Sequence, residues 1–107
     1  MHEPLNIAVD LYSGKKYLTS GMANSASISG MYIACDASHF LEGNEIQVKY
    51  ELNADDVPQK HNMLVSVTGL SENGILVTFC NYDNNTFCNV RDMILYKNTY
   101  YEKKIHN

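Results

Sequence analysis

Three serines one residue apart, Ser25, Ser27 and Ser29, lead to Gly30 and then to an unbroken apolar stretch, Met31-Tyr32-Ile33-Ala34-Cys35. Hydroxyls at this spacing supply donors and acceptors for a tight turn or a polar ligand, and the amide of Asn24 just before them adds to the set. A glycine in such a place either takes a positive φ or lets another main chain come close. Acyl-transfer chemistry is not indicated. No histidine lies near these serines in the sequence, and no nucleophile-elbow glycine pattern surrounds them. The stretch reads as a structural corner or a binding edge.

Other reactive residues are scattered. Cys35, Cys80 and Cys88 are odd in number, lack CxxC spacing and lie in or beside apolar runs, so buried reduced thiols are expected. His2, His39, His61 and His106 show no zinc-type clustering and read as surface histidines. Asp55-Asp56 reads as a solvated acidic turn rather than a metal or acid–base pair. No P-loop or GxGxxG pattern is present. The chain is not expected to be an enzyme, nor to carry a resident metal or cofactor.

The elements that position these residues are mostly strands. Ile7, Val9 and Leu11 alternate with polar or small neighbours, as in a half-buried strand. Ser13-Gly14 turns the chain into a return strand over 15–21. The serine stretch then delivers a strand at 31–35, and a polar connection over 36–42 holds Phe40 and Leu41. After Glu42-Gly43-Asn44, the segment 45–52 is the cleanest amphipathic strand, with Ile46, Val48 and Tyr50 on one side and Glu45, Gln47, Lys49 and Glu51 on the other. The segment 53–62 has no apolar period and is expected to be an exposed loop. Strands resume at 63–69 and 75–80, joined through Ser71-Glu72-Asn73-Gly74. No strand is expected to contain proline, so closure should need no bulges. From Phe87 the period becomes helical through Val90, Arg91 and Ile94, with Asn84 or Asn85 as cap. The segment 98–107 is a polar, tyrosine-containing tail. Five to seven short antiparallel strands and a helix give a mainly β fold, a small closed or nearly closed barrel with the helix across one end.

Against that frame, Ser25-x-Ser27-x-x-Gly30 followed by an apolar strand resembles the (Asp/Asn)-x-Ser-x-x-Gly signature of PilZ domains, small bacterial modules that receive cyclic di-GMP. This chain has Ser25 at the first position, with Asn24 one residue earlier. The order of flanking elements over about residues 5–97 also fits. The resemblance implies a six-stranded antiparallel β-barrel with one C-terminal α-helix, and a cyclic di-GMP site floored by Ser25, Ser27 and Gly30 with Asn24 beside them. It further implies an Arg-x-x-x-Arg motif just ahead of the first strand, to meet the phosphates and guanine edges. Met1-His2-Glu3-Pro4-Leu5 offers no arginine, Lys15-Lys16 sits at a hairpin turn, and the one arginine, Arg91, falls on the helix. Each charge-assisted hydrogen bond contributes on the order of 1.5–3 kcal/mol, so a site lacking that clamp binds a dianion poorly. The expected role is a regulatory module of bacterial cyclic di-GMP signalling. It would act as an adaptor for an unidentified protein partner, for example in motility, type IV pili or surface behaviour, with weak or no nucleotide binding. Family members lacking the arginines are thought to work in this way. The alternative is an atypical cyclic di-GMP receptor using the same serines and glycine with other basic residues.

Composition sets the outer bounds. At 107 residues, one domain over 1–107 is expected, with a core over about 5–97. Hydrophobic residues at 45% and charged residues at 19% mark a globular chain. A net charge of −4 with a single arginine argues against a general DNA or RNA binder. No apolar run approaches the ~20 residues that span a bilayer. The opening residues lack the basic-then-apolar layout of a signal peptide, so a cytoplasmic setting is expected. Eight tyrosines fit either an interface or a half-wet sheet.

Overall fold

The computed structural model describes residues 3–27, 29–54, 57–80, 88 and 90–92. Six strands, β1 (Glu3–Ser13), β2 (Lys16–Ala26), β3 (Gly30–Ala34), β4 (Glu45–Ala54), β5 (Val57–Ser71) and β6 (Gly74–Phe79), form a closed antiparallel barrel in the order β1-β2-β3-β6-β5-β4. Consecutive strands pair as two meanders, β1-β2-β3 and β4-β5-β6. The meanders join along β3–β6 through five residue pairs and along β1–β4 through three, Asp10↔Lys49 to Tyr12↔Gln47. Closure is confined to the middle of the barrel: β1 meets β4 only over residues 10–12, and β5 pairs with β6 only from Val65 on. Near the C-terminus, residues 88 and 90–92 are helical. No helix among the described residues is long and apolar enough to cross a membrane.

Period-two alternation explains the core. Ile7, Val9 and Leu11 from β1, Met31 and Ile33 from β3, and Ile46, Val48, Tyr50 and Leu52 from β4 all point inward. Met63, Val65 and Val67 from β5 and Ile75 and Val77 from β6 complete the ring. Burying each such aliphatic side chain contributes about 1.5–3 kcal/mol before entropy is counted. Phe40, from the connection between β3 and β4, and Val90, from the helix, are 4% and 3% exposed and belong to the same core. In that connection a 3-10 helix over Ala37–His39 is capped by Asp36, whose carboxylate accepts from the Ser38 N–H at 3.0 Å. The Ser38 hydroxyl first, and that backbone bond second, hold the Asp36 carboxyl below its usual range.

Several sequence-based expectations are corrected. The segment 57–62 is strand, not loop. Its side chains lack an apolar period because it pairs with 49–54 of β4, Ala54↔Val57 through Lys49↔Asn62, as a ribbon whose β5 side is mostly solvated. Proline does occur in strands, as Pro4 in β1 and Pro58 in β5. Bulges are also present, with register shifts between Pro4 and Ile7, Leu11 and Tyr12, Ala23 and Ser25, and Val67 and Gly69. A small barrel needs such irregularities because they sharpen the local bend. The return strand continues past Gly21 to Ala26, taking in the first half of the serine stretch. In the last hairpin the two-residue turn is Glu72-Asn73, and Gly74 opens β6. The left-handed glycines are Gly14, at φ +60° in the first hairpin, and Gly43, at φ +93°. The three cysteines are free but only half-buried. His61 is not a surface histidine: it stacks on Tyr50 with ring centroids 5.0 Å apart. Asp55-Asp56, Asn84, Asn85, Phe87, Ile94 and the 98–107 tail lie outside the described residues.

Candidate functional site

The serine stretch is built on a bulge. Ala23 pairs with Ile33, but Ser25 pairs with Tyr32, so Asn24 is an extra residue on β2. Without it, alternation would turn Ser25 inward after Ala23. With it, Ala26 becomes the next fully buried position and Ser25 lies level with the outer face beside Tyr32. Asn24 is half-buried at the kink.

Beyond Ala26, Ser27 and Ser29 stand between β2 and β3. The Ser27 N–H donates to the Gly30 carbonyl at 2.9 Å, and the Phe79 N–H donates to the Ser29 carbonyl at 3.1 Å, tying the turn to β6. The hydroxyls turn onto this backbone. Ser27 Oγ accepts from the Ser29 N–H at 3.3 Å and lies 3.1 Å from Ser29 Oγ. This is a serine turn of the kind that short hydroxyl side chains make with the main chain two residues on. Gly30 is not one of the positive-φ glycines. Its role is close approach: a Cβ there would run into the Val77 carbonyl and the Thr78 backbone of β6.

Of the residues expected to floor a ligand site, Ser25, Ser27 and Gly30 therefore come together on one side of the β2–β3 turn, with Asn24 at the adjoining bulge. Gly30 is explained by strand packing alone, and the Ser27 and Ser29 hydroxyls are engaged with each other. Lys15 and Lys16 are exposed at the first hairpin, as expected of a solvated turn. Arg91 is exposed, and its guanidinium lies 3.5 Å from the carboxylate of the adjacent Asp92.

A second feature was not expected from the sequence. Where β1 and β4 part after Asp10↔Lys49, an open groove of about 610 Å³ forms, lined by Ala8 and Asp10 on one wall and Lys49, Tyr50, Glu51, Lys60, His61 and Asn62 on the other. Reading 57–62 as a loop hides it, because the second wall exists only if Lys60–Asn62 pairs with Lys49–Glu51. Its charges alternate in sign. Lys49 sits over the Tyr12 ring at 4.3 Å from the centroid, and Asp10 accepts from the Ser20 hydroxyl at 2.6 Å. Burial, aided by Asp92, pushes the Tyr50 phenol far above its ordinary value, so it stays protonated. No group of three histidine, cysteine or acidic side chains among the described residues is placed to hold a metal ion.

No protein-family sequence model matches the chain, and no curated protein is similar to it in sequence. Among solved structures, the fold is similar to the crystal structure of the PilZ domain of CeSA from a cellulose-synthesizing bacterium. The TM-score is 0.69 at 13% identity, over 89% of this chain and 95% of that one. The chain thus has a PilZ-like fold: a closed six-stranded barrel with a short helix near the C-terminus.

Proposed function

We propose that this chain is a non-catalytic regulatory module of cyclic di-GMP signalling that works as a protein-interaction adaptor and binds the nucleotide weakly or not at all. The PilZ-like fold supports the signalling context. The observation that carries the adaptor reading is the state of the serine turn. Its hydroxyls bond to each other and to the turn's own backbone, and the chain's single arginine is engaged with Asp92. A dianionic dinucleotide needs cationic, preferably bidentate partners, and neither lysine of the first hairpin belongs to the turn.

Titration calorimetry with cyclic di-GMP tests this reading. The expected result is no measurable heat of binding at micromolar nucleotide. Micromolar or tighter binding that disappears in Ser27→Ala would overturn it in favour of a receptor. Ser27→Ala is the informative variant, since Gly30→Ala disturbs the β3–β6 ladder whether or not a ligand binds.

A further inference from the structure

The ring of strands is closed over part of its length and split over the rest. Before Asp10, β1 pairs with β2 alone, and after Lys49, β4 pairs with β5 alone. Residues 3–9 and 51–54 therefore border a seam, and no strand among the described residues lies between them. Main-chain bonds in a sheet alternate from one side of a strand to the other. About half of the N–H and C=O groups along each wall thus point into the seam, and the main-chain bonds made outside the ladders leave both walls untouched.

The groove along this seam holds about 610 Å³, which matches roughly four residues of strand, each ~3.3 Å long, ~4.8 Å wide and ~10 Å thick. Its inner side is already filled. Ile7, Val9 and Leu52 are 6%, 2% and 3% exposed, so a side chain pointing inward from the seam meets a packed core. Its outer side is open. Ala8 is exposed and offers only a methyl group, while Lys49, Glu51 and Lys60 line the opposite wall. Neither Glu51 nor Lys60 is in an ion pair among the described residues, so both signs of charge are on offer to polar side chains entering there.

We infer that the seam takes up one extended segment of a partner protein, added as a strand between β1 and β4. The walls select the occupant. Rows of N–H and C=O groups at strand spacing are matched by another extended main chain, and not by a helix, whose main chain is bonded within itself. The filled inner side and the open outer one select the side chains: glycine, alanine or serine at every second position, with polar residues between. The other open edge is less suited. Before Val65, β5 carries Pro58 and Lys60, features by which edge strands refuse further strands. Along the seam the one proline, Pro4, lies at the far end. The inference rests on the adaptor reading for the existence of a partner and adds that partner's chemistry. Calorimetry with cyclic di-GMP decides the first, and main-chain exchange at the seam decides the second.

Hydrogen–deuterium exchange followed by NMR on the full chain tests it. Because the main chain carries the contact, the probe is a capped synthetic heptapeptide in which threonine and lysine alternate with alanine, added at about 2 mM. Without it, amides of residues 6–9, 51 and 52 that point into the seam are expected to exchange faster than those bonded across β3–β6 or β4–β5. With it, they are expected to slow about fivefold or more, at every second residue, while β3–β6 stays unchanged. The same peptide N-methylated at alternate amides should not protect the walls. Ala8→Trp, which fills the groove from an exposed position, should abolish the protection. Circular dichroism melts establish that this variant is folded, and Ala8→Gln replaces it if it is not. No slowing at either wall, equal slowing by the N-methylated peptide, or slowing along 57–63 instead would each overturn the proposal. So would walls already protected in the chain alone. Release of that protection on removing 93–107 would make the occupant the chain's own segment, and release on dilution would make it a second copy.

Discussion

At Gly30 a hydrogen stands where any other residue would press a carbon against the Val77 carbonyl. Gly30→Ala is expected to cost about 1–3 kcal/mol, the range for overfilling a packed site, read as a lower urea midpoint with or without nucleotide. The sequence allowed two roles for this glycine, and only the pairing of β3 with a strand more than forty residues away decides between them. The same limit applies to Asn24: its bulge sets which way Ser25 faces, and no local pattern announces it. Cys35 was legible as a thiol in an apolar run, but its environment was not. Burial first, and the neighbouring Asp36 second, push its pKa from 9.0 up to about 11. Because the fold favours the neutral thiol, its stabilising contribution is complete below about pH 9 and is lost as pH rises toward 11. The stability difference between the parent and Cys35→Ala is expected to change over that window and to be flat below it. Urea titrations at pH 7, 9 and 11 measure this.

Among the elements, alternation found most strands. Ile7, Val9, Leu11, Ile46, Val48, Met63, Val65, Ile75 and Val77 all point inward as their spacing predicts. It failed at 57–62, where strand structure comes from main-chain pairing to β4 and the side chains record little burial. It also failed on proline and bulges, because Pro4 and Pro58 are tolerated where neighbouring ladders are irregular or near their ends. The unequal junctions lead to a measurement. Three residue pairs close β1 on β4, whereas ten join β4 to β5. Amides bonded across β1–β4 are therefore expected to exchange with deuterium through smaller openings than those across β4–β5 or β3–β6. Uniform protection around the ring would show that the short junction opens only when the whole barrel does.

For the molecule as a whole, mainly β architecture, barrel closure and a C-terminal helix were legible from turn spacing and from the serine–glycine signature. The groove beside Lys49 and Lys60 and the absence of charge along β3 and β6 as neighbouring strands were not. Both depend on strand order, which brings β3 against β6 and β1 against β4, and such neighbours leave no trace in local spacing. The order also governs how the chain reaches this state. Four ladders link segments adjacent along the polypeptide and demand only short searches, whereas 30–34 must find 74–78 and 10–12 must find 47–49 across long intervening loops. Each meander can form early, and the slow event in refolding is their mutual recognition. The five-pair β3–β6 junction offers the larger reward for that encounter, and the three-pair one is left to latch afterwards.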